Sequence, residues 1–264
     1  MPLPRLETYN TYERLARRFG GRSKELEFLA LRSWNLAVWE DDFMGDQMKY
    51  DATAPGTYQS TASGAASAVA AISTGVVNGA IILDAGTADD GRSDLSLGLH
   101  FRGDLGALYV ARFSIPTLTT RKFEVGFTDV VSGTDAGAVN VKATPSFTAT
   151  DCAVLVYDTD DDAVLTLVGN RSGTAATAVD FTTVLAAATY YYLGVQLLDE
   201  DDVAIGFILD ANGRLLERQI IRQAITSTVL LTPWLFVQNR AANAGSMTAD
   251  WHLARQFRTT SVGT

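Results

Sequence analysis

Clusters of acidic side chains are the residues of this sequence whose spacing first suggests chemistry. Asp158-Thr-Asp160-Asp161-Asp162 sets carboxylates at i, i+2 and i+4, as a calcium loop begins. Such a loop would also need glycine sixth and glutamate twelfth, and those places hold Ala163 and Gly169. Asp199-Glu-Asp-Asp202 has a similar look. Carboxylates gathered in a tight turn ordinarily face water. The primary expectation is therefore no metal and no cofactor, with Ca²⁺ on Asp158, Asp160 and Asp162 as the alternative. Transition-metal binding has less to build on, because His100, His252 and Cys152 are far apart in sequence.

Catalytic arrangements are scarce. No G-x-S-x-G elbow marks a nucleophile, and neither phosphate-cradling glycine pattern is present. Glycoside hydrolysis needs two carboxyl groups facing one another. The nearest pair, Glu124 and Asp129, differ by five positions, so an unbroken strand sends them to opposite faces. No catalytic residue is assigned. Arg102-Gly103-Asp104 and Asn170-Arg-Ser172 match an adhesion tripeptide and a glycosylation acceptor, and both are read as turn composition.

Aromatic side chains offer another kind of site. Tyr191, Trp234 and Trp251 are the candidates for stacking on a sugar ring, against the more usual role of aromatic residues as core. In the run Tyr190-Tyr191-Tyr192, successive side chains alternate between faces, so at least one should meet solvent or a partner.

The elements that would position these residues read as strands. Tyr190 to Ile221 divides into three, joined by turns at Asp199–Asp202 and Asp210–Gly213. Val203, Ile205, Phe207 and Leu209 give one face that is heavily apolar, and burying it requires a second sheet opposite. Further strands are expected near 58–60, 79–85, 94–101, 107–114, 122–129, 138–141, 153–157, 164–170, 230–238 and 247–256. The fold class is all-β, an antiparallel jelly-roll sandwich over 39–264, with a short N-terminal α-helical arm over 1–38.

In that arm Leu6, Tyr9, Tyr12, Leu15 or Ala16, and Phe19 recur at helical spacing, with Arg14, Arg17 and Arg18 elsewhere on the same turns. It serves equally as a helix packed on its own sandwich or as one docking on a neighbouring subunit. Residues 1–32 sum to +3, so the other residues carry −12 of the −9 total. An acidic body excludes general affinity for nucleic acid or anionic membrane. The uncharged run Ala52–Leu83 is broken too often by Gly, Pro and Asn to span a bilayer as a helix, and the chain is expected to be soluble.

Six stretches, in order, resemble the concanavalin A-like (laminin G-like) jelly-roll structural proteins of tailed bacteriophages. They are Trp39-Glu-Asp-Asp-Phe43, Ala111-Arg112-Phe113 with Phe123–Asp129, Tyr192–Val195, Phe207–Gly213 and Thr248–Gln256. The resemblance implies a virion component without enzymatic activity, assembled in the host cytoplasm. A capsid-decorating or auxiliary head protein fits best, contacting the major capsid protein or other virion subunits. It also implies a homo-oligomer, with a trimer suited to lattice threefold positions. The alternatives are a carbohydrate-binding receptor module of a tail fibre or baseplate, and then a sandwich glycan hydrolase.

Overall fold

A computed structural model describes residues 36–43, 58–63, 69–73, 79–131 and 137–258. Tyr9, Tyr12, Arg14, Arg17, Arg18 and Phe19 of the expected arm lie outside the described residues. The first described strand, β1, spans Leu36–Asp41, so the sheet begins three residues before the expected boundary at 39.

Short apolar runs broken by Gly, Asp and Asn turns give two large antiparallel sheets. One holds β1, β3 (Val69–Ile72), β4 (Ile81–Asp84), β6 (Leu108–Ser114), β14 (Tyr191–Leu198), β15 (Val203–Leu209), β16 (Leu215–Ile221) and β18 (Ser246–Phe257). Its order is β16-β15-β14-β6-β18-β4-β3, and β1 also pairs with β18. The other holds β2 (Ala62–Ser63), β5 (Arg92–Ser96), β7 (Arg121–Thr128), β10 (Cys152–Asp158), β11 (Leu165–Arg171), β12 (Thr174–Ala175), β13 (Val179–Asp180) and β17 (Thr232–Asn239). Its order is β12-β11-β10-β7-β17-β5-β2, with β13 on β11. A small hairpin, β8 (Val139–Val141) with β9 (Ser146–Phe147), stands apart from both. No described helix is long and apolar enough to cross a membrane.

The core lies between the sheets. Phe123, Val125 and Phe127 of β7 meet Tyr109, Phe113, Leu193 and Val195 from β6 and β14. The expected meander is present as β14-β15-β16, with the Asp210 carboxylate capping its second turn by accepting from the Asn212 and Arg214 amides.

The facing of β15 is the reverse of the sequence expectation. Ala204 and Ile208 turn inward to the main core, while Phe207 and Leu209 turn outward. Room decides this. A Cβ built on the inward Gly206 would stand 2.8 Å from Leu155 and 3.0 Å from Leu167, so the opposite sheet already fills that space. The bulky alternate residues must go to the other side.

Candidate functional site

The outer face of the β7–β10–β17 sheet centres on Glu124. Strand alternation places Lys122 and Glu124 outward on β7, and Trp234 and Phe236 outward on the neighbouring β17. Hairpin β8–β9 lies over them and packs Val139 and Phe147 on Trp234, Phe236, Val154, Val156 and Val168. Glu124 accepts hydrogen bonds from Trp234 Nε1 (2.9 Å), Ala138 N (2.8 Å) and Val139 N (3.1 Å), and pairs with Lys122 Nζ at 3.1 Å. Lys122 also donates to the Val139 carbonyl. Both ion-pair side chains are fully buried. A desolvated pair is tolerable only when the remaining lone pairs and protons are satisfied, as they are here. Gly137 (φ +73°) lets the hairpin backbone approach, since a Cβ there would stand 2.6 Å from Glu124 Oε1.

Two sequence expectations change on this face. Trp234 is fully buried and cannot stack on a glycan, because the hairpin covers its ring and Glu124 takes its N–H. Glu124, the acid that a hydrolase would have needed, is fully buried, with its carboxylate accepting from the hairpin amides and the Trp234 indole. Asp129 lies past the end of β7, accepting from the Thr150 and Asp151 amides. The buried Cys152, beneath the same cover, has its thiol pushed well up by desolvation.

The acidic loop does not gather its carboxylates. Asp158 is buried and forms a two-pronged pair with the Arg240 guanidinium, Nε to Oδ1 at 2.9 Å. Asp160 approaches Arg240 at 3.6 Å, while Asp162 pairs with Lys142 and accepts from Val164 N. Internal cations thus hold the carboxylates that the i, i+2, i+4 spacing offered to calcium. Among the described residues no group of three His, Cys, Asp or Glu is placed to hold a metal ion. In the adhesion-like tripeptide, Arg102 and Asp104 pair with each other, and Asn170 is buried with its amide on the Ala149 carbonyl.

Between the sheets sits a polar chain that the sequence did not announce. Tyr58 donates to Asp41 (2.5 Å), leaving its oxygen to accept from His252 Nε2 (2.8 Å), and Tyr109 reaches His252 Nδ1 at 3.5 Å. A neutral imidazole satisfies every partner in this chain. Burial, partly opposed by the Asp41 charge, holds the imidazole down to about 4. Burial also pushes the Tyr58 hydroxyl far above the usual phenol range, reinforced by its bond to Asp41.

The outer face of the β6–β14–β18 sheet carries the aromatic patch. Trp251 and Tyr192 meet edge to face at 5.7 Å. The Arg112 guanidinium, paired with Asp250, lies 4.4 Å from the Tyr190 ring centre and 5.7 Å from that of Tyr192. Trp251 donates to Glu40 at 3.2 Å. These side chains are half-buried, and together they present planar apolar surface beside a fixed cation. The expected Tyr191 is not among them. Its ring packs against the main core, and its hydroxyl accepts from Ala186 N at 3.2 Å. Tyr192 takes its place, and the available signal was Arg112, the one charge within strand 108–114.

These sheets define a concanavalin A-like jelly-roll sandwich of the kind found in legume lectins. No protein-family model matches the sequence, and neither does any curated protein. A protein of unknown function from Shewanella oneidensis MR-1 superposes with TM-score 0.61 at 12% identity, covering 91% of this chain and 96% of that one. Peanut lectin gives 0.56 at 9% identity, covering 86% and 99%. The Bacillus licheniformis beta-glucanase gives 0.53 at 11%, covering 84% and 98%. At such identities the likeness establishes the fold.

Proposed function

We propose that this chain is a non-enzymatic structural component of a bacteriophage virion, a capsid-decorating or auxiliary head protein. The observation that carries the non-enzymatic part is the confinement of Glu124: every acceptor direction of the one central acid serves the fold. An acidic body preceded by a basic leader supports attachment to a larger lattice, as does the order of the phage-like stretches. The leader, with Arg14, Arg17 and Arg18, fastens a homo-oligomer, a trimer at threefold positions, to the major capsid protein or another virion subunit. Co-sedimentation of the full chain with undecorated capsids tests this. Saturable binding that falls at least tenfold in the Arg14→Ala/Arg17→Ala/Arg18→Ala variant is expected, and equal binding by that variant would remove the leader's role.

A second reading, a carbohydrate-binding module, is favoured by one observation, the Trp251–Tyr192 pair beside Arg112. Peanut lectin and beta-glucanase share the sandwich, but one fold hosts many roles.

A further inference from the structure

Trp39 and Asp41 stand two residues apart on β1, so an indole and a carboxylate share one face of the strand. His252 of β18 is the direct cross-strand partner of Asp41. All three side chains meet at one hydroxyl. The Tyr58 oxygen lies 2.5 Å from Asp41 Oδ2, 2.8 Å from His252 Nε2 and 3.2 Å from Trp39 Nε1. The indole and the neutral imidazole donate to it, and the phenol donates to the carboxylate. The Phe43 amide, at 2.7 Å, fixes Asp41 in turn. Tyr58 is 4% exposed, whereas Trp39, whose ring meets it edge to face with centres 6.0 Å apart, is 37% exposed. One oxidisable ring thus faces solvent and touches a second, buried ring that carries its own proton acceptor. The outer-face patch is built otherwise, with the Trp251 N–H on Glu40.

We infer that Tyr58 is a one-electron redox site, with Trp39 as its point of entry and Asp41 as its proton acceptor. The co-reactant is a diffusing one-electron oxidant able to oxidise an indole, such as an oxygen-centred radical. It takes one electron from Trp39 and is itself reduced by one. Tyr58 then passes an electron to the Trp39 radical cation while its phenolic proton crosses to Asp41. Trp39 regains its neutral form with the N–H in place, and a neutral tyrosyl radical is left beside a carboxylic acid. An oxidised phenol is a very strong acid, so a tyrosine yields its electron readily only where the proton has somewhere to go. Burial, reinforced by the bond to Asp41, keeps the proton on Tyr58 in the resting protein, and Asp41 receives it on oxidation. The radical oxygen then keeps the Asp41, His252 and Trp39 donors around it, which lowers its energy. Its burial also shields it from coupling to a second radical. The inference concerns the sandwich itself and stands whether or not the chain belongs to a virion.

Flash oxidation of the full chain by tris(bipyridyl)ruthenium with a cobalt(III) quencher tests it. Transient absorbance should show a tryptophan radical giving way to a tyrosyl radical in a phase that Tyr58→Phe and Trp39→Phe both lose. Asp41→Asn keeps a hydrogen-bond acceptor but removes the base, and should slow that phase at least tenfold. Peptide mass spectrometry of the parent should find Trp39 less oxidised than Trp251, although Trp39 is the more exposed. In Tyr58→Phe, Trp39 oxidation should rise several-fold with Trp251 oxidation unchanged. Trp39 oxidised more than Trp251 in the parent would overturn the inference, and that result needs no variant to fold. So would a transfer phase that survives in Tyr58→Phe, or one that runs at the parent rate in Asp41→Asn.

Discussion

The indole N–H of Trp234 donates at 2.9 Å to the carboxylate of Glu124, and neither side chain reaches solvent although both point away from the inter-sheet core. A carboxylate, an ammonium and an indole have been enclosed under a hairpin on what would otherwise be an open sheet face. This makes the centre structural, with consequences that can be measured.

Glu124→Gln keeps the shape but leaves the buried Lys122 charge without its counter-ion and turns an amide N–H₂ toward donors. Breaking one partner of a buried pair costs about 3–5 kcal/mol. Urea unfolding should show a loss of that order, and adding Lys122→Met should restore part of it. A Glu124→Gln protein as stable as the parent would show that the pair is not enclosed as described.

Acid should weaken the fold through His252. The unfolded imidazole takes a proton near its ordinary value of 6.5, whereas the buried one resists until about 4. The unfolded chain therefore binds more protons in that interval. This contribution is complete above pH 6.5 and is lost as pH falls toward 4, by about 3 kcal/mol in all. His252→Gln should flatten that part of the pH–stability curve; parallel curves for variant and parent would contradict the buried neutral imidazole.

The strands, their approximate ends and the 190–221 meander were legible because turn residues and alternation are local signals. Which side of a strand faces the core was not. Val203, Ile205, Phe207 and Leu209 announce an apolar face, but Leu155 and Leu167, from another sheet, reserve the core side for Ala204 and Gly206. The roles of Asp158 and Trp234 in the fold were illegible for the same physical reason. Arg240 lies 82 positions from the Asp158 it neutralises, and the cover over Trp234 comes from Val139 and Phe147. Trp251, Trp234 and Tyr191 are alike in the sequence as aromatic residues of strands, and parity alone does not say which of them face inward.

Calcium should do little. Asp158 and Asp162 are already held by Arg240 and Lys142, and a ligand stabilises a protein only when its concentration exceeds its dissociation constant for the native state. Melting temperature should be the same in EDTA and in millimolar CaCl₂. A rise of several degrees with calcium would show that the loop rearranges to bind it.

The carbohydrate reading rests on Trp251 and Tyr192. If it holds, a glycan array should give saturable, sugar-specific signal that Trp251→Ala lowers at least tenfold while leaving the fold intact. An array without specific signal, or one indifferent to Trp251→Ala, leaves the patch to protein contacts.

The proposed virion role is tested most directly by quantitative mass spectrometry of gradient-purified phage particles from cells that express this chain. A stoichiometric attachment protein should be present at a fixed ratio to the major capsid protein, in copy numbers matching a symmetric lattice. Particles devoid of the chain, with the protein found free in the infected cell, would contradict the account.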